Sequence, residues 1–191
     1  MKHDYNKNLE KLIGDAIKCN SKAQEHLFKM YYSSMMNICY RYANDPHEAK
    51  DLFQDGFIKI FEHLGDYKFN GSLEGWMRRI MVNNAIDHIR RAKNKETVSL
   101  DSVAEYSDKK YDYNEAISKI ASEELMALLQ YVPNMSRAVF NLFVFEDYSH
   151  AEIAKTLNIK EGTSMWHLNN ARNILKTEVQ KLYKMEEPVY G

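Results

Sequence analysis

The fold is indicated by residues 148–176, which read Y-S-H-A-E-I-A-K-T-L-N-I-K-E-G-T-S-M-W-H-L-N-N-A-R-N-I-L-K. Ser149 and Glu152 predict a capping box at the start of a first short helix. Asn158 predicts a left-handed stop, and Gly162, in the first turn of a second helix, is expected to let the two helices approach closely. This layout is typical of a helix-turn-helix, in which the second helix meets base edges in the major groove. The alternative is an ordinary helical hairpin whose polar face is solvated.

The second helix of this pair has an apolar stripe and a polar face. The stripe recurs at steps of three and four and consists of Leu168, Ala171, Leu175, Val179 and Leu182. The side chains expected to point outward are Met165, Trp166, His167, Asn169, Asn170, Arg172 and Asn173. The N-terminal part of this outward face is therefore the candidate DNA-reading surface.

The composition favours a mostly helical protein. The chain has 191 residues with 7 Gly and 3 Pro, which is enough for one substantial core or two small ones. No apolar run approaches the length of a membrane span, and residues 1–8 lack the apolar segment of a signal peptide. We therefore expect the protein to stay in the cytoplasm.

The cysteines and the charge exclude other classes of protein. Cys19 and Cys39 are far apart and have no neighbours in metal-ligand spacing, so we expect two reduced thiols in helices rather than a disulfide or a zinc site. The net charge of −1 argues against nonspecific coating of DNA, which depends on many Lys and Arg contacts.

The first half of the chain predicts four helices from its apolar periodicity. Asp45 is the expected N-cap of the third, with Pro46 at its first position and Glu48 closing a capping box. Ser72 is expected to cap the fourth. The predicted core residues are Leu9, Leu12, Ile13, Ala16 and Ile17; Ala23, Leu27, Met30, Tyr31, Met35, Ile38 and Tyr42; Leu52, Phe53, Phe57, Ile60, Phe61 and Leu64; and Leu73, Trp76, Met77, Ile80, Ala85, Ile86 and Ile89.

The periodicity disappears over residues 94–114, where Ser, Asp, Lys, Glu and Tyr dominate. Such a segment buries too little apolar surface to offset its ordering entropy, so we interpret it as a linker. Helical spacing then resumes through Leu125, Leu128, Leu129 and Val132, and through Val139, Phe140, Leu142 and Phe143. The sequence therefore predicts an all-α protein of two small four-helix domains, residues 1–93 and 115–191.

Two blocks carry a family resemblance. The first is D-L-F-Q-D-G-F-I-K-I-F at residues 51–61, followed by F-N-G-S-L-E-G-W-M-R-R-I-M-V-N-N-A-I-D-H-I-R-R at residues 69–91. The second runs from L-L-Q-Y-V-P-N-M-S-R-A-V-F at residues 128–140 through E-D-Y-S-H-A-E-I-A to A-R-N-I-L-K. The chain resembles the extracytoplasmic-function (group four) sigma factors of bacterial RNA polymerase, with the first block similar to their region two and the second to their region four.

The resemblance implies that Asp51, Gln54 and Asp55 form the surface that docks on the clamp helices of core RNA polymerase. Carboxylates and an amide suit an Arg-rich partner, because charge-assisted hydrogen bonds fix both affinity and orientation. The alternative is a solvated acidic face.

The resemblance also implies two groups of residues that contact the minus-ten element. The loop residues Lys68, Phe69, Asn70, Gly71 and Ser72 correspond to the family's pocket for an unstacked base. Asn83, Asp87, Arg90 and Arg91 would face the upstream edge of the same element. The alternatives are that Phe69 is a core residue of a simple turn and that Asn83 is a satisfied interior amide. Trp76 and Ile80 are assigned to packing.

For the minus-thirty-five duplex, the expected base-reading residues are Thr163, Ser164, His167 and Asn170. The expected phosphate contacts are Arg172 and Lys176, with Lys155 and His150. The chain departs from its relatives here, because Met165, Trp166, His167 and Asn170 stand where basic or small polar residues are common.

The expected partners are core RNA polymerase and promoter DNA, and many relatives are also held inactive by an anti-sigma factor. No catalytic residue, cofactor or metal is expected. An alternative is a stand-alone helix-turn-helix regulator whose N-terminal helices sense a signal or dimerise. A helical enzyme is disfavoured, because the sequence has no Gly-rich phosphate loop, no paired metal ligands and no nucleophile beside a base.

Overall fold

A computed structural model of the chain describes residues 2–95 and 122–186. These ranges contain α-helices joined by turns and no β-strand, which confirms the predicted all-α class. The chain divides into two compact units, Met1–His88 and Ile89–Gly191. The predicted linker lies outside the described residues except for positions 94 and 95, which still belong to a helix.

The first half contains α1 (Lys2–Ile17), α2 (Ser21–Tyr42), α3 (Pro46–His63) and α4 (Leu73–Lys95), with a 3₁₀ turn at Leu64–Asp66. The predicted four helices are therefore present.

Polar side chains start three of these helices. The Asn20 side chain accepts a hydrogen bond from the Ala23 N–H at the start of α2, and Asp45 accepts from the N–H groups of His47 and Glu48. The Ser72 hydroxyl accepts from the Gly75 N–H at 3.1 Å. Each acceptor satisfies a donor that the first helical turn would otherwise leave unpaired.

The predicted capping box at α3 needs a correction. The Glu48 carboxylate accepts a hydrogen bond from the N–H of Asn44 at 2.6 Å. In a capping box this carboxylate would accept from the N–H of the N-cap residue, Asp45. Here it accepts instead from the residue before the N-cap.

Aromatic side chains fill the space between α2 and α3. Phe28 lies 5.4 Å from Phe53 and 4.9 Å from Phe57 between ring centroids. Phe57 is in turn 4.7 Å from Phe53 and 5.9 Å from Phe61. The predicted stripe of α3 is buried except for the half-buried Phe61, which confirms that this stripe forms the core.

Some predicted core positions of the first half are exposed. Ile17 is 47% and Met30 is 42% exposed, because each lies at the edge of its helix's apolar stripe. Leu9, Leu12, Trp76 and Ile80 are half-buried.

The two cysteines are free thiols, as expected. Cys39 is buried in α2, and burial raises its pKa to about 12. Cys19 is exposed and lies outside any helix, in the turn before α2 with φ of 60°, so its predicted helical placement is wrong.

The second half contains α5 (Ser122–Leu129), α6 (Asn134–Val144), α7 (His150–Leu157) and α8 (Glu161–Glu186). The predicted capping box of Ser149 and Glu152 is present, and Asn158 ends α7 in the left-handed region with φ of 52°. Both local predictions are confirmed.

Leu168, Ala171 and Leu175 of α8 are buried, whereas Val179 is half-buried and Leu182 is 43% exposed. The buried stripe is therefore shorter than predicted. A Cβ atom added to Gly162 would meet no atom within 4 Å, so the expectation that this glycine permits a close helix approach is wrong.

A buried arginine of α6 forms hydrogen bonds with the C-terminal end of α5 and the turn after it. Arg137 is 1% exposed. Its guanidinium donates to the Leu129 carbonyl at 3.4 Å, to the Gln130 side chain at 3.3 Å and to the Asn134 side chain at 3.0 Å. These bonds compensate for burying the charge.

Candidate nucleic-acid and protein interfaces

One face of α3 carries three polar side chains and, after them, an exposed apolar residue. Asp51, Gln54 and Asp55 are all exposed, and Ile58, one further helical turn along, is 56% exposed. Spacings of three and four residues place the four side chains on one side of the helix. Sequence reasoning missed Ile58. It lies seven residues after Asp51, and two helical turns return a side chain to the same side of the helix.

This acidic face combines acceptors with an apolar side chain at its C-terminal end. Carboxylates accept bidentate hydrogen bonds from arginine, and Ile58 can bury apolar surface against a partner. The face is therefore suited to a basic protein partner.

The loop before α4 holds an aromatic ring outward. Phe69 is 49% exposed and has φ of 58°, a backbone conformation that is rare for a bulky residue. Its ring lies 4.8 Å from the Tyr67 ring, which also meets the Trp76 ring at 5.6 Å. The alternative that Phe69 is a core residue is therefore wrong.

Tyr67 stiffens this loop. Its hydroxyl donates a hydrogen bond to the Gly71 carbonyl at 2.8 Å. Burial also raises the pKa of the phenol. Gly71 has φ of 95°, a region that glycine tolerates. Lys68, Asn70 and Ser72 are exposed around Phe69, so the loop presents an aromatic ring beside hydrogen-bond donors.

The predicted residues on α4 share one side of the helix. Asn83 and Arg91 are exposed, whereas Asp87 and Arg90 are half-buried. The interior amide of α4 is the next residue, Asn84, which accepts from the Lys59 ammonium at 2.7 Å and donates to the Leu52 carbonyl at 3.0 Å. The alternative of an interior role for Asn83 is thus wrong.

Ser164 of α8 points inward. It is 0% exposed, and its hydroxyl lies 2.9 Å from Nδ1 of His150. The prediction that Ser164 reads a base needs correction, because a buried hydroxyl cannot reach DNA. His150, predicted as a phosphate contact, instead links the start of α7 to α8.

The His150 ring also stacks on Phe143, with centroids 4.8 Å apart and an interplanar angle of 26°. The Arg172 guanidinium lies 5.7 Å from the same Phe143 ring, a favourable cation–π distance. Burial lowers the pKa of His150, partly opposed by Glu161. Arg172 is half-buried, so part of the guanidinium still faces solvent.

His167 and Asn170 are held by one serine of α6. Nδ1 of His167 lies 2.9 Å from the Ser136 hydroxyl, and the Asn170 amide donates to the same oxygen at 3.1 Å. Both residues were predicted to point outward and read bases. They are half-buried and their polar atoms turn toward α6, because they lie beside the stripe of Leu168 and Ala171 rather than opposite it.

The outward face of α8 consists of other residues. Met165 is 45% exposed and Asn173 is exposed, whereas Trp166 and Asn169 are half-buried. Of the remaining predicted contacts, Lys176 is exposed and Thr163 is half-buried. The sequence pattern had identified Met165, Trp166, Asn169 and Asn173 as outward, but these four residues were not among the predicted base-reading residues.

Residues 2–95 and 122–186 lack two features that would point to other functions. Within these ranges, no group of three His, Cys, Asp or Glu residues is arranged to hold a metal ion. The helices of the same ranges also include none with the length and apolar content of a membrane crossing.

Comparison with known proteins places both halves in one family. Residues 27–95 match the family model "Sigma-70 region 2", and residues 122–175 match "Sigma-70, region 4". The chain is 27% identical over 187 residues to the ECF RNA polymerase sigma factor SigW of Bacillus subtilis, covering 91% of this chain and 100% of the relative.

It is 30% identical over 162 residues to the ECF RNA polymerase sigma factor SigE of Mycolicibacterium smegmatis, covering 82% of this chain and 62% of the relative. It is also 24% identical over 186 residues to the RNA polymerase sigma-H factor of Pseudomonas aeruginosa, covering 92% and 95%. A stand-alone regulator would not require both sigma regions in this order. The chain therefore belongs to the extracytoplasmic-function sigma factors, non-enzymatic initiation factors that direct core RNA polymerase to promoters.

Proposed function

We propose that this sigma factor has three binding surfaces, each with a different partner. The acidic face of α3 binds core RNA polymerase, and the loop of residues 67–72 captures a base of the melted minus-ten strand. The outward face of α8 reads the minus-thirty-five duplex. The corresponding domains are residues 1–93 and 115–191, joined by residues 94–114, and the site of action is the cytoplasm, where core polymerase works.

The observation that carries this proposal is the outward Phe69 ring. An exposed aromatic ring offers a stacking surface to an unpaired base, and such stacking contributes about 1–3 kcal/mol per base. The bond from Tyr67 to the Gly71 carbonyl holds the loop in place before DNA arrives, so little ordering entropy is lost on binding.

The donors around Phe69 complete the pocket. Lys68 can bind the backbone phosphate, whereas Asn70 can pair with a base edge. The Ser72 oxygen accepts from Gly75, which leaves its own proton available to a nucleotide. Capture of an extruded base offsets the few kcal/mol that unstacking costs, so recognition and melting become one event.

Asn83, Asp87, Arg90 and Arg91 extend this surface along α4. Asn83 and Arg91 are exposed and can contact a base edge or a phosphate. The anti-sigma partner stays a prediction from the family resemblance alone.

The test uses holoenzyme assembled from the full chain and bacterial core polymerase, on a promoter first selected by run-off transcription from genomic fragments. Phe69→Ala should reduce open complex, measured by permanganate reactivity of unpaired thymines, by about tenfold or more because one stacking contact is lost. Core affinity should stay unchanged.

Tyr131→Ala is the matched control, because Tyr131 is an exposed aromatic residue, 65% accessible, outside the loop. It should open the promoter normally. Normal opening by the Phe69→Ala holoenzyme would contradict the assignment of this loop.

A further inference from the structure

The outward face of α8 has no cationic side chain near its start. Met165, Trp166 and Asn169 line this face, and the spacing of three between the last two keeps them on one line. Neither Asn169 nor Asn173 has a side-chain hydrogen bond within the described part of the chain. Their amides are therefore available to a ligand.

Three polar side chains that would supply a different chemistry are engaged in hydrogen bonds within the fold, and Arg172 is only partly exposed. Ser164 bonds His150, and His167 and Asn170 bond Ser136. The Arg172 guanidinium lies over Phe143. Beyond Glu161 and Thr163 in its first turn, the outward line of α8 thus offers a duplex one thioether, one indole and one amide.

These three groups match one kind of base pair. Asparagine pairs with N6 and N7 of adenine, and apolar side chains contact the 5-methyl group of thymine. Guanine presents two acceptors in the major groove, which arginine or lysine satisfies best. We infer that α8 selects A·T pairs, with Met165 and Trp166 on thymine methyl groups and Asn169 on adenine. This specificity rests on the proposed docking of α8 on the minus-thirty-five duplex.

Distance along α8 limits which asparagine side chains can contact bases. At a rise of about 1.5 Å per residue, Asn169 lies about 12 Å from the start of α8 and Asn173 about 18 Å. The N-terminal residues of a recognition helix are the ones that contact base edges, so Asn173 is expected to lie farther from the bases than Asn169. Asn173 therefore serves as a matched control for the Asn169 amide.

The first experiment uses holoenzyme and a promoter library randomised over the minus-thirty-five element, with transcripts sequenced. The wild-type protein should enrich A·T at adjacent positions by roughly tenfold over G·C. Met165→Ala and Trp166→Ala should each lose the preference at one position, and Asn169→Ala should lose it at a neighbouring position. Asn173→Ala should retain the wild-type motif.

The second experiment removes only the thymine methyl group, by placing deoxyuridine at each thymine of the selected element. Loss of one buried methyl contact should lower wild-type transcription about fourfold at the contacted positions. The Met165→Ala or Trp166→Ala holoenzyme should be insensitive to the same replacement. Because the wild-type arm uses unaltered protein, it does not depend on any variant folding.

Three results would overturn the inference: enrichment of G·C at these positions, no effect of deoxyuridine anywhere in the element, or full methyl sensitivity in both apolar variants. Loss of core binding by Trp166→Ala would also overturn its base contact, since it would assign the indole to a protein interface. Failure of the proposed docking is distinguishable, because the library would then show no base preference at any minus-thirty-five position, whereas failure of this inference alone would leave a preference for other base pairs.

Discussion

At the scale of residues, α8 is fixed by hydrogen bonds between histidine and serine on different helices. His150 of α7 bonds Ser164 of α8, and His167 of α8 bonds Ser136 of α6. Buried polar groups of this kind stabilise a fold only while both partners remain, because an unpaired one costs about 1–3 kcal/mol. The orientation of α8 therefore depends on these hydrogen bonds.

His150 makes the stability of the second unit depend on pH. Burial lowers its pKa below the ordinary value of 6.5, so as the pH falls the unfolded chain takes up this proton before the folded one does. The stabilisation is fully present above pH 6.5 and is lost as the pH falls below it. Glu161 favours the charged ring and Arg172 disfavours it.

We expect His150→Gln to flatten this dependence. The free energy of unfolding, measured in urea between pH 7 and pH 5, should decrease less in the variant than in the parent. The chain contains two tryptophans, so a Trp76→Phe background leaves Trp166 fluorescence as a probe of the second unit. Equal pH dependence in variant and parent would contradict the role of His150.

The sequence predicted local residue contacts well and the inward side of α8 badly. The caps at Asp45, Ser72 and Ser149 depend only on the next three residues, so the local sequence was sufficient. The orientations of Ser164 and His167 depend on where α6 crosses α8, which a single helix pattern does not encode. A polar residue beside an apolar stripe looks the same whether it meets water or a buried serine.

At the scale of elements, α3 and α4 approach closely at one glycine. A Cβ atom added to Gly56 would overlap the sulfur of Met81, which is itself 1% exposed and has little space to move. The approach places α4 against α3, where the Asn84 amide also donates to the Leu52 carbonyl. Sequence reasoning singled out Gly162 for such a role, because a lone glycine does not reveal which neighbour faces it.

Gly56→Ala should therefore destabilise the first unit by up to about 2 kcal/mol, since overpacking costs about 1–3 kcal/mol and higher helix propensity returns about 1 kcal/mol. Gly14→Ala in α1 is the control, because no atom lies within 4 Å of its added Cβ. That variant should gain up to about 1 kcal/mol. Urea unfolding followed by Trp76 fluorescence in a Trp166→Phe background measures both, and equal stability of the two variants would disprove the steric argument.

At the scale of the whole molecule, the sigma factor has little general attraction to DNA. Its net charge is −1, and nonspecific affinity depends on many cationic contacts with phosphate. Each half presents a small reading surface, and such surfaces bind weakly alone. If core polymerase holds both halves at once, as we propose, the second DNA contact becomes intramolecular and its effective concentration rises.

The acidic face of α3 should therefore control promoter use as well as core binding. Asp51→Ala with Asp55→Ala removes two acceptors beside the exposed Ile58, and we expect core affinity to fall by at least tenfold, because charge-assisted hydrogen bonds contribute about 1.5–3 kcal/mol each. The double variant should lose promoter-dependent transcripts at limiting core, although its α8 is unchanged and its weak affinity for the isolated duplex stays the same. Glu10→Ala with Glu25→Ala removes the same charge from exposed positions elsewhere and should retain both activities. If the Asp51 and Asp55 variant binds core as tightly as this control does, α3 is not the docking surface, and the coupling between core binding and promoter reading must be sought on another helix.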